Sequence, residues 1–190
     1  YLPVLAFGKH IMPGFRPDYG GYWRYDRQRI LTDQTPVEWI DTENWHQSQI
    51  CRRGRLPESI CERRIAIIGA GALGSVIAHL LVRAGAREIV LLDGDRVEVG
   101  NLVRHTLTVD AMGKNKAEAL GSQLRLASPH IAVSAITHRF PPQTDEARAI
   151  VQACDIIIDC TGSDNILFCL ESYHWEQQKT FISLSLGYKA

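Results

Sequence analysis

The chain has 190 residues, 45% of them hydrophobic, and its 21 Lys and Arg residues are balanced by 21 Asp and Glu residues. This length and apolar content suffice for the core of one ordinary domain, and the balanced charge, with no basic stripe among aromatic residues, argues against nucleic acid as the main partner. The sequence shows neither an apolar run of about 18 residues nor a signal peptide, so we expect no membrane partner and a cytoplasmic location.

The first sixty residues show no sustained periodicity. Residues 1–25 mix aromatic residues, glycines and prolines, and residues 35–55 carry isolated tryptophan and histidine positions without a clear strand. The aromatic side chains are costly to leave together in water, so we expect them to pack on the domain, on a second subunit or on a further domain, or to cover their own core. We therefore predict an irregular N-terminal arm over residues 1–60, followed by a domain over residues 61–190 that is incomplete at its C-terminal end.

Three glycines follow a short β-branched run, Ile65 to Ile68, where a strand would pass into a helix. Gly69, Gly71 and Gly74 allow a tight turn and let a phosphate approach the backbone N–H groups at the helix N-terminus. Apolar residues then recur at helical spacing until Gly85, a residue that can end the helix; they are Leu73, Ile77, Leu80 and Leu81. The segment therefore predicts a strand, a phosphate-binding turn and a helix.

A second strand is predicted from Glu88 to Leu92, and it ends in Asp93. An acidic residue about 20 residues past the glycines is where a Rossmann fold binds ribose hydroxyls. These features serve NAD, FAD or ATP equally well.

The stretch after Asp93 is unusually rich in charged and amide side chains for a dehydrogenase. They are Asp95, Glu98, Asn101, Arg104, Lys114 and Lys116. A hydride-transfer site needs an apolar slot for nicotinamide, whereas chemistry at phosphorus needs donors positioned for the charge that develops on phosphate oxygens. The pattern therefore favours phosphoryl chemistry. On composition alone, Arg104 and Lys116 are also compatible with solvated surface cations. Asp95 and Glu98 are compatible with loop acids that have no role.

Strands and helices alternate along the rest of the chain. Strands are predicted over residues 130–136, 155–160 and 181–186, and helices over residues 114–126, 145–153 and 166–178. Such alternation predicts an α/β fold, a Rossmann-like doubly wound, mostly parallel sheet with helices on both faces and the ligand at the carboxyl ends of its strands.

The residues after the second strand also carry a family resemblance. Residues 93–105, Lys116 and the later Asp159-Cys-Thr-Gly-Ser-Asp164-Asn resemble the ThiF/MoeB/HesA family, the adenylyltransferases related to ubiquitin-activating enzymes. The resemblance spans about residues 64–187, and Tyr25-Asp26-Arg27-Gln28 resembles the upstream arginine motif of that family.

The resemblance implies a role for each matching residue. With the glycine turn, Asp93 would hold the ribose of ATP, and Asn101, Arg104 and Lys116 would contact its phosphates. Arg27 would reach the phosphates in the active site of a partner subunit, because such family members are usually symmetric dimers. Asp164 would help to hold Mg²⁺.

The reaction implied is attack by a C-terminal carboxylate on the α-phosphate of ATP, which yields an acyl-adenylate and pyrophosphate. The carboxylate would belong to a ubiquitin-like or sulfur-carrier protein ending in Gly-Gly. Because a C-terminal carboxyl has a pKa of about 3.5, it is ionised at neutral pH and needs no general base. It needs screening of charge, which Arg104, Lys116, Arg27 and Mg²⁺ would supply.

The chain departs from the family pattern at the segment that would bind the metal. The family often has Asp-Cys-Thr-Asp-Asn there, whereas this chain has two extra residues, Gly162 and Ser163. Asp159 is therefore an alternative metal ligand, and Asp164 is also a candidate N-cap for the following helix. Two other functions stay open, an NAD-dependent oxidoreductase and a non-catalytic, dimerising family member.

Overall fold

The computed structural model describes residues 41–186, so the Tyr25–Gln28 motif with Arg27 lies outside the described residues. Of the predicted arm, residues 41–60 are described, and they contain helix α1 (Gln47–Ile50) and the start of α2 (Glu58–Cys61). The α1 side chain of Gln47 donates to the Gly85 carbonyl oxygen at 3.0 Å. This short helix therefore packs on the domain, and the division of the chain at residue 60 stays a prediction.

Within the described residues, five strands form one sheet in the order β3-β2-β1-β4-β5, with every pair parallel. The strands are β1 (Arg64–Ile68), β2 (Glu88–Leu92), β3 (Ala132–Ile136), β4 (Ile156–Asp159) and β5 (Thr180–Ser183). The remaining helices are α3 (Ala72–Arg83), α4 (Lys116–Ala127), α5 (Asp145–Gln152) and α6 (Asp164–Ser172). The predicted doubly wound α/β fold is confirmed. Within residues 41–186, no helix is both long and apolar enough to cross a membrane.

Alternate residues of β1 point into two separate cores, one on each face of the sheet. Ile65 and Ile67 pack with the buried residues of α3 and α4, whereas Ala66 and Ile68 pack with those of α5 and α6. Because both faces are covered, the central strands are continuously apolar, as parallel strands usually are. The strand order reverses at β1, and a ligand crevice is expected at the carboxyl ends of the strands on either side of that point.

Two helices differ from the sequence predictions. In α3 the predicted apolar residue Leu80 is 62% exposed, and small residues such as Gly74 and Ala78 face the sheet instead. The helix predicted to reach residue 178 ends at Ser172. The next residue, Tyr173, turns to extended backbone and packs edge-on against Trp175, with ring centroids 4.8 Å apart. Aromatic burial therefore takes over where the helical pattern was expected to continue.

Candidate nucleotide site

A cleft of about 370 Å³ opens at the carboxyl ends of the strands, where the strand order reverses. The glycine turn after β1 and two carboxylates after β2 form part of it, Gly69, Gly71, Asp93 and Asp95. The segments after β3 and β4, the strands that flank β2 and β1, complete the lining with Arg139, Phe140, Cys160, Thr161, Ser163, Asn165 and Ile166. Sequence analysis predicted Gly69, Gly71 and Asp93 and quoted the motif that runs from Asp159 to Asn165. It gave Asp95 no role and missed the segment after β3, although the position of that segment after a strand was a signal for it.

The three glycines of the turn serve different purposes. Gly69 has a φ of +89°, and a Cβ there would lie 3.0 Å from the Thr161 methyl group. A Cβ at Gly74 would lie 1.9 Å from the Gly69 carbonyl oxygen, so glycine is what lets α3 pack this closely on the turn. A Cβ at Gly71 would meet no atom of the described part of the chain within 4 Å. Gly71 is the N-cap residue, and no side chain among residues 41–186 caps this helix end, so these residues leave its N–H groups available to an anion.

Asp93 is fixed beside the glycine turn by two backbone hydrogen bonds. The Ala70 N–H donates to its Oδ2, and the Asp95 N–H donates to its Oδ1, both at 2.8 Å. The Asn115 side chain donates to the Asp93 carbonyl oxygen at 2.9 Å. Each carboxylate oxygen retains a lone pair, so the group can accept hydrogen bonds from a ribose while it holds the turn.

Asn101 closes a short turn in the loop that follows Asp93. The turn is a 3₁₀ helix over Val99–Asn101, and the Glu98 N–H donates to the Asn101 Oδ1 at 2.9 Å. The side-chain oxygen of Asn101 is therefore occupied in shaping the loop. Its NH₂ group is the part that can donate to a phosphate.

The end of this loop lies against the glycine turn through His105. The imidazole Nε2 donates to the Ala70 carbonyl oxygen, and Nδ1 accepts the Leu107 N–H at 3.2 Å. Burial lowers the pKa of His105 below its ordinary value, so the ring is neutral, with its proton on Nε2 as these partners require. Arg104 immediately precedes it and is exposed. The contact of His105 with Ala70 thus fixes the backbone of the loop next to the exposed Arg104 against the phosphate-binding turn.

Lys116 reaches the site through Asp95. It is the first residue of α4, only 12% of its side chain is exposed, and its Nζ lies 3.3 Å from the Asp95 Oδ2. Arg139, which follows β3, donates to the Asp95 Oδ1 at 2.8 Å. The hydrogen bond from Arg139, together with the charge of Lys116, lowers the pKa of the Asp95 carboxyl against the opposing effect of burial. Sequence analysis gave Asp95 no role and did not identify Arg139.

Asp159 is used as a structural anchor. Only 2% of it is exposed, and its Oδ1 accepts the N–H and the O–H of Thr161 at 3.0 and 2.7 Å. Its Oδ2 accepts the Ser183 hydroxyl at 3.1 Å. The carboxylate therefore ties the ends of β4 and β5 together, which speaks against the alternative that it binds the metal.

Asp164 is exposed at the start of α6, and the residues on either side of it, Ser163 and Asn165, line the cleft. Its interpretation as the N-cap is wrong, because the N-cap residue is Ser163. No group of three or more His, Cys, Asp or Glu side chains is placed to hold a metal ion within residues 41–186. Magnesium bound mainly by substrate phosphates and water needs only one or two protein carboxylates, and Asp164 fits that smaller requirement.

Comparison with known proteins identifies the family of the chain. The ThiF family pattern matches residues 47–189. The ATP-dependent ubiquitin transferase-like protein Cap2 of Enterobacter hormaechei is 39% identical over 178 residues, which cover 94% of this chain and 30% of Cap2. The molybdopterin-synthase adenylyltransferase of Escherichia coli is 34% identical over 110 residues, which cover 57% of this chain and 43% of that protein.

Two solved Escherichia coli structures have the same fold. MccB, in a structure with succinimide, superposes with a TM-score of 0.59 at 25% identity, covering 67% of this chain and 37% of MccB. The tRNA N6-threonylcarbamoyladenosine dehydratase TcdA superposes with a TM-score of 0.58 at 25% identity, covering 66% of this chain and 51% of TcdA. This chain therefore spans between 30% and 51% of the length of these four proteins. Since the family pattern covers most of its length, the chain belongs to the ThiF family.

Proposed function

We propose that this chain carries the ATP-binding part of an enzyme that adenylates the C-terminal carboxylate of a ubiquitin-like or sulfur-carrier protein. One observation carries the proposal: His105, the residue that follows the exposed Arg104, holds the loop after Asp93 against the glycine turn. Relatives named as an adenylyltransferase and a ubiquitin transferase-like protein support it. So do MccB structures determined with ATP and with AMPCPP.

The proposed binding mode combines two groups that line the cleft, Asp93 and Gly71, with three side chains from outside its lining. Asp93 accepts hydrogen bonds from the ribose hydroxyls, and the turn around Gly71 receives the phosphates on open N–H groups. Arg104, Lys116 and the NH₂ group of Asn101 donate to phosphate oxygens. Lys116, whose Nζ lies 3.3 Å from the Asp95 carboxylate, would shift from that carboxylate toward the phosphates.

The proposed reaction forms a bond between the carboxylate oxygen and the α-phosphorus and breaks the bond from that phosphorus to the pyrophosphate oxygen. The carboxylate is already ionised, so the work of the site is to bring two anions together and to stabilise the leaving pyrophosphate. Arg104, Lys116 and Arg27 act as the catalytic cations. Mg²⁺, held by the phosphates and Asp164, would neutralise part of the charge on the triphosphate.

The proposal includes an assembly. On the basis of the Tyr25–Gln28 motif, we propose that two copies form a homodimer in the cytoplasm and that Arg27 of each copy reaches the other copy's site. The partner protein would end in Gly-Gly. ATP would be the co-substrate, and Mg²⁺ would be the cofactor.

The experiment that tests the function is ATP–pyrophosphate exchange by the full-length protein with a Gly-Gly-ended ubiquitin-like partner. We expect partner-dependent exchange in the wild type and loss of exchange in Arg104→Ala. A matched control is Arg148→Ala, which removes an exposed arginine that pairs with Asp145 at 2.8 Å on α5. Unchanged exchange in Arg104→Ala would overturn the assignment.

Binding measurements on the same full-length protein distinguish the two other functions from adenylation. An NAD-dependent oxidoreductase would bind a nicotinamide cofactor that ATP does not displace. A non-catalytic scaffold would form a stable dimer without ATP binding by calorimetry. Either result would replace adenylation as the function of this site.

A further inference from the structure

Lys116 has two competing partners in the proposed reaction. In the structure its Nζ lies 3.3 Å from the Asp95 Oδ2, and 12% of its side chain is exposed. If Lys116 turns to the phosphates of ATP, the Asp95 carboxylate loses that cation. Without a cation beside it, the negative Asp95 carboxylate would repel the incoming triphosphate.

Arg139 already supplies a second cation to the same carboxylate. It binds Oδ1 at 2.8 Å, whereas Lys116 lies on Oδ2, so the two contacts do not exclude each other. Gly94 makes room for the arginine, since a Cβ at Gly94 would lie 3.1 Å from the Arg139 Cγ and 3.2 Å from its backbone nitrogen. The arrangement leaves Asp95 paired when Lys116 departs.

We propose that Arg139 is a positioning residue that holds Asp95 and thereby releases Lys116 to the phosphates of the bound nucleotide. The inference rests on the proposed function, because it requires Lys116 to bind phosphate. Arg139 acts through Asp95 and need not touch the nucleotide.

The position of Arg139 also offers a different role, which the test must separate. Its side chain lines the cleft and is 77% exposed, so a direct contact with the nucleotide is geometrically open. The two roles predict different effects of removing the Arg139 side chain once Asp95 has lost its charge. A direct contact persists in that background, whereas a role through Asp95 disappears.

The experiment is a double-mutant cycle on the full-length protein, with ATP affinity measured by calorimetry and with kcat and KM for ATP measured by pyrophosphate exchange. The variants are Arg139→Ala, Asp95→Asn and their combination, with Arg139→Lys as the conservative change. Arg148→Ala is the matched control, because it removes an arginine from an ion pair of the same 2.8 Å length on an exposed surface. Thermal unfolding is recorded for each variant to exclude a loss of fold.

We expect Arg139→Ala to weaken ATP binding and to raise KM for ATP about fivefold, which corresponds to the loss of one partly screened ion pair. The unfolding temperature should not change. Arg139→Lys should recover most of that loss, and Arg148→Ala should change nothing. In the Asp95→Asn background, Arg139→Ala should have less than about a twofold effect, since Asp95 no longer competes for Lys116.

Two results would overturn the role of Arg139 alone, while wild-type ATP binding and exchange stand. One is an unchanged ATP affinity in Arg139→Ala. The other is a loss of the same size with and without the Asp95 charge, which would indicate direct contact with the nucleotide. A wild-type protein that binds no ATP would overturn the proposed function, and this role with it.

Discussion

His105 donates a hydrogen bond from its Nε2 to the carbonyl oxygen of Ala70, and this contact joins the Arg104 loop to the glycine turn. Ala70 also donates its N–H to Asp93 at 2.8 Å. One residue of the turn therefore links the proposed ribose acceptor to the proposed phosphate-binding loop. Substitutions at these contacts, and at the carboxylates around them, should have distinct and measurable effects.

Replacing His105 by Ala should free the loop and weaken ATP binding measured by calorimetry, because the loop that carries Arg104 would lose its hydrogen bond to Ala70 of the turn. Since burial lowers the pKa of His105 from its ordinary 6.5, the unfolded chain binds this proton more readily than the folded one. The contribution of the neutral ring to stability is thus complete above about pH 6.5 and is lost as the pH falls through the lower folded pKa. Denaturant unfolding at about pH 7.5 and at about pH 5 should show this loss in the wild type and a smaller loss in His105→Ala. Equal losses would contradict the buried, neutral state of this ring.

Gly74→Ala and Gly71→Ala should separate folding from ligand binding. The methyl group that Gly74→Ala introduces would lie 1.9 Å from the Gly69 carbonyl oxygen, so we expect a loss of about 3 kcal/mol or more in the free energy of unfolding. The methyl group that Gly71→Ala introduces would meet nothing within 4 Å, so the fold should keep its stability, while phosphate approach is hindered and ATP affinity falls. Urea unfolding and calorimetry on both variants check this pair. A stable Gly74→Ala variant would show that α3 does not pack on the turn as described.

Asp93→Ala should abolish the preference for ribose hydroxyls. If the carboxylate accepts from those hydroxyls, the wild type binds ATP more tightly than 2′-deoxy-ATP, and the variant binds the two alike. Stability should also fall by about 1–3 kcal/mol, because the N–H groups of Ala70 and Asp95 lose their acceptor. Competition binding with both nucleotides provides the measurement. A preference that survives in the variant would place the ribose elsewhere.

Asp159→Asn should affect the stability of the fold, whereas Asp164→Asn should affect the magnesium requirement of the reaction. Asp159 is buried and accepts from Thr161 and Ser183, so its replacement should lower the free energy of unfolding by about 1–3 kcal/mol. Asp164 is exposed, so its replacement should leave stability unchanged and raise the Mg²⁺ concentration needed for half-maximal exchange. Unfolding curves and magnesium titrations of exchange distinguish the two. A raised Mg²⁺ requirement in Asp159→Asn alone would reverse the assignment.

The sequence predicted the sheet and the glycine turn because their signals are local. The apolar run from Ile65 to Ile68 and the acid that ends β2 can be read from neighbouring residues. The end of α6 could not be predicted in this way, because it depends on Tyr173 packing against Phe140 and Trp175. Those contacts join parts of the chain that only the fold brings together.

In the candidate site, too, local signals could be predicted and contacts between distant parts of the chain could not. The spacing of Asp93, Asn101 and Arg104 was visible along one segment. Arg139 was not, because its contact with Asp95 spans 44 positions and depends on β2 and β3 being neighbours in the sheet. The buried anchor at Asp159 was hidden for a related reason, since its partner Ser183 belongs to another strand.

The most direct measurement of the central claim is the mass of the partner protein after incubation of the full-length protein with ATP and Mg²⁺. We predict that a Gly-Gly-ended ubiquitin-like or sulfur-carrier partner gains one AMP at its C-terminal carboxylate. This product should be absent with Arg104→Ala and present with Arg148→Ala. A partner that never acquires AMP, although the wild-type protein binds ATP, would contradict the proposal that this site adenylates a carboxylate.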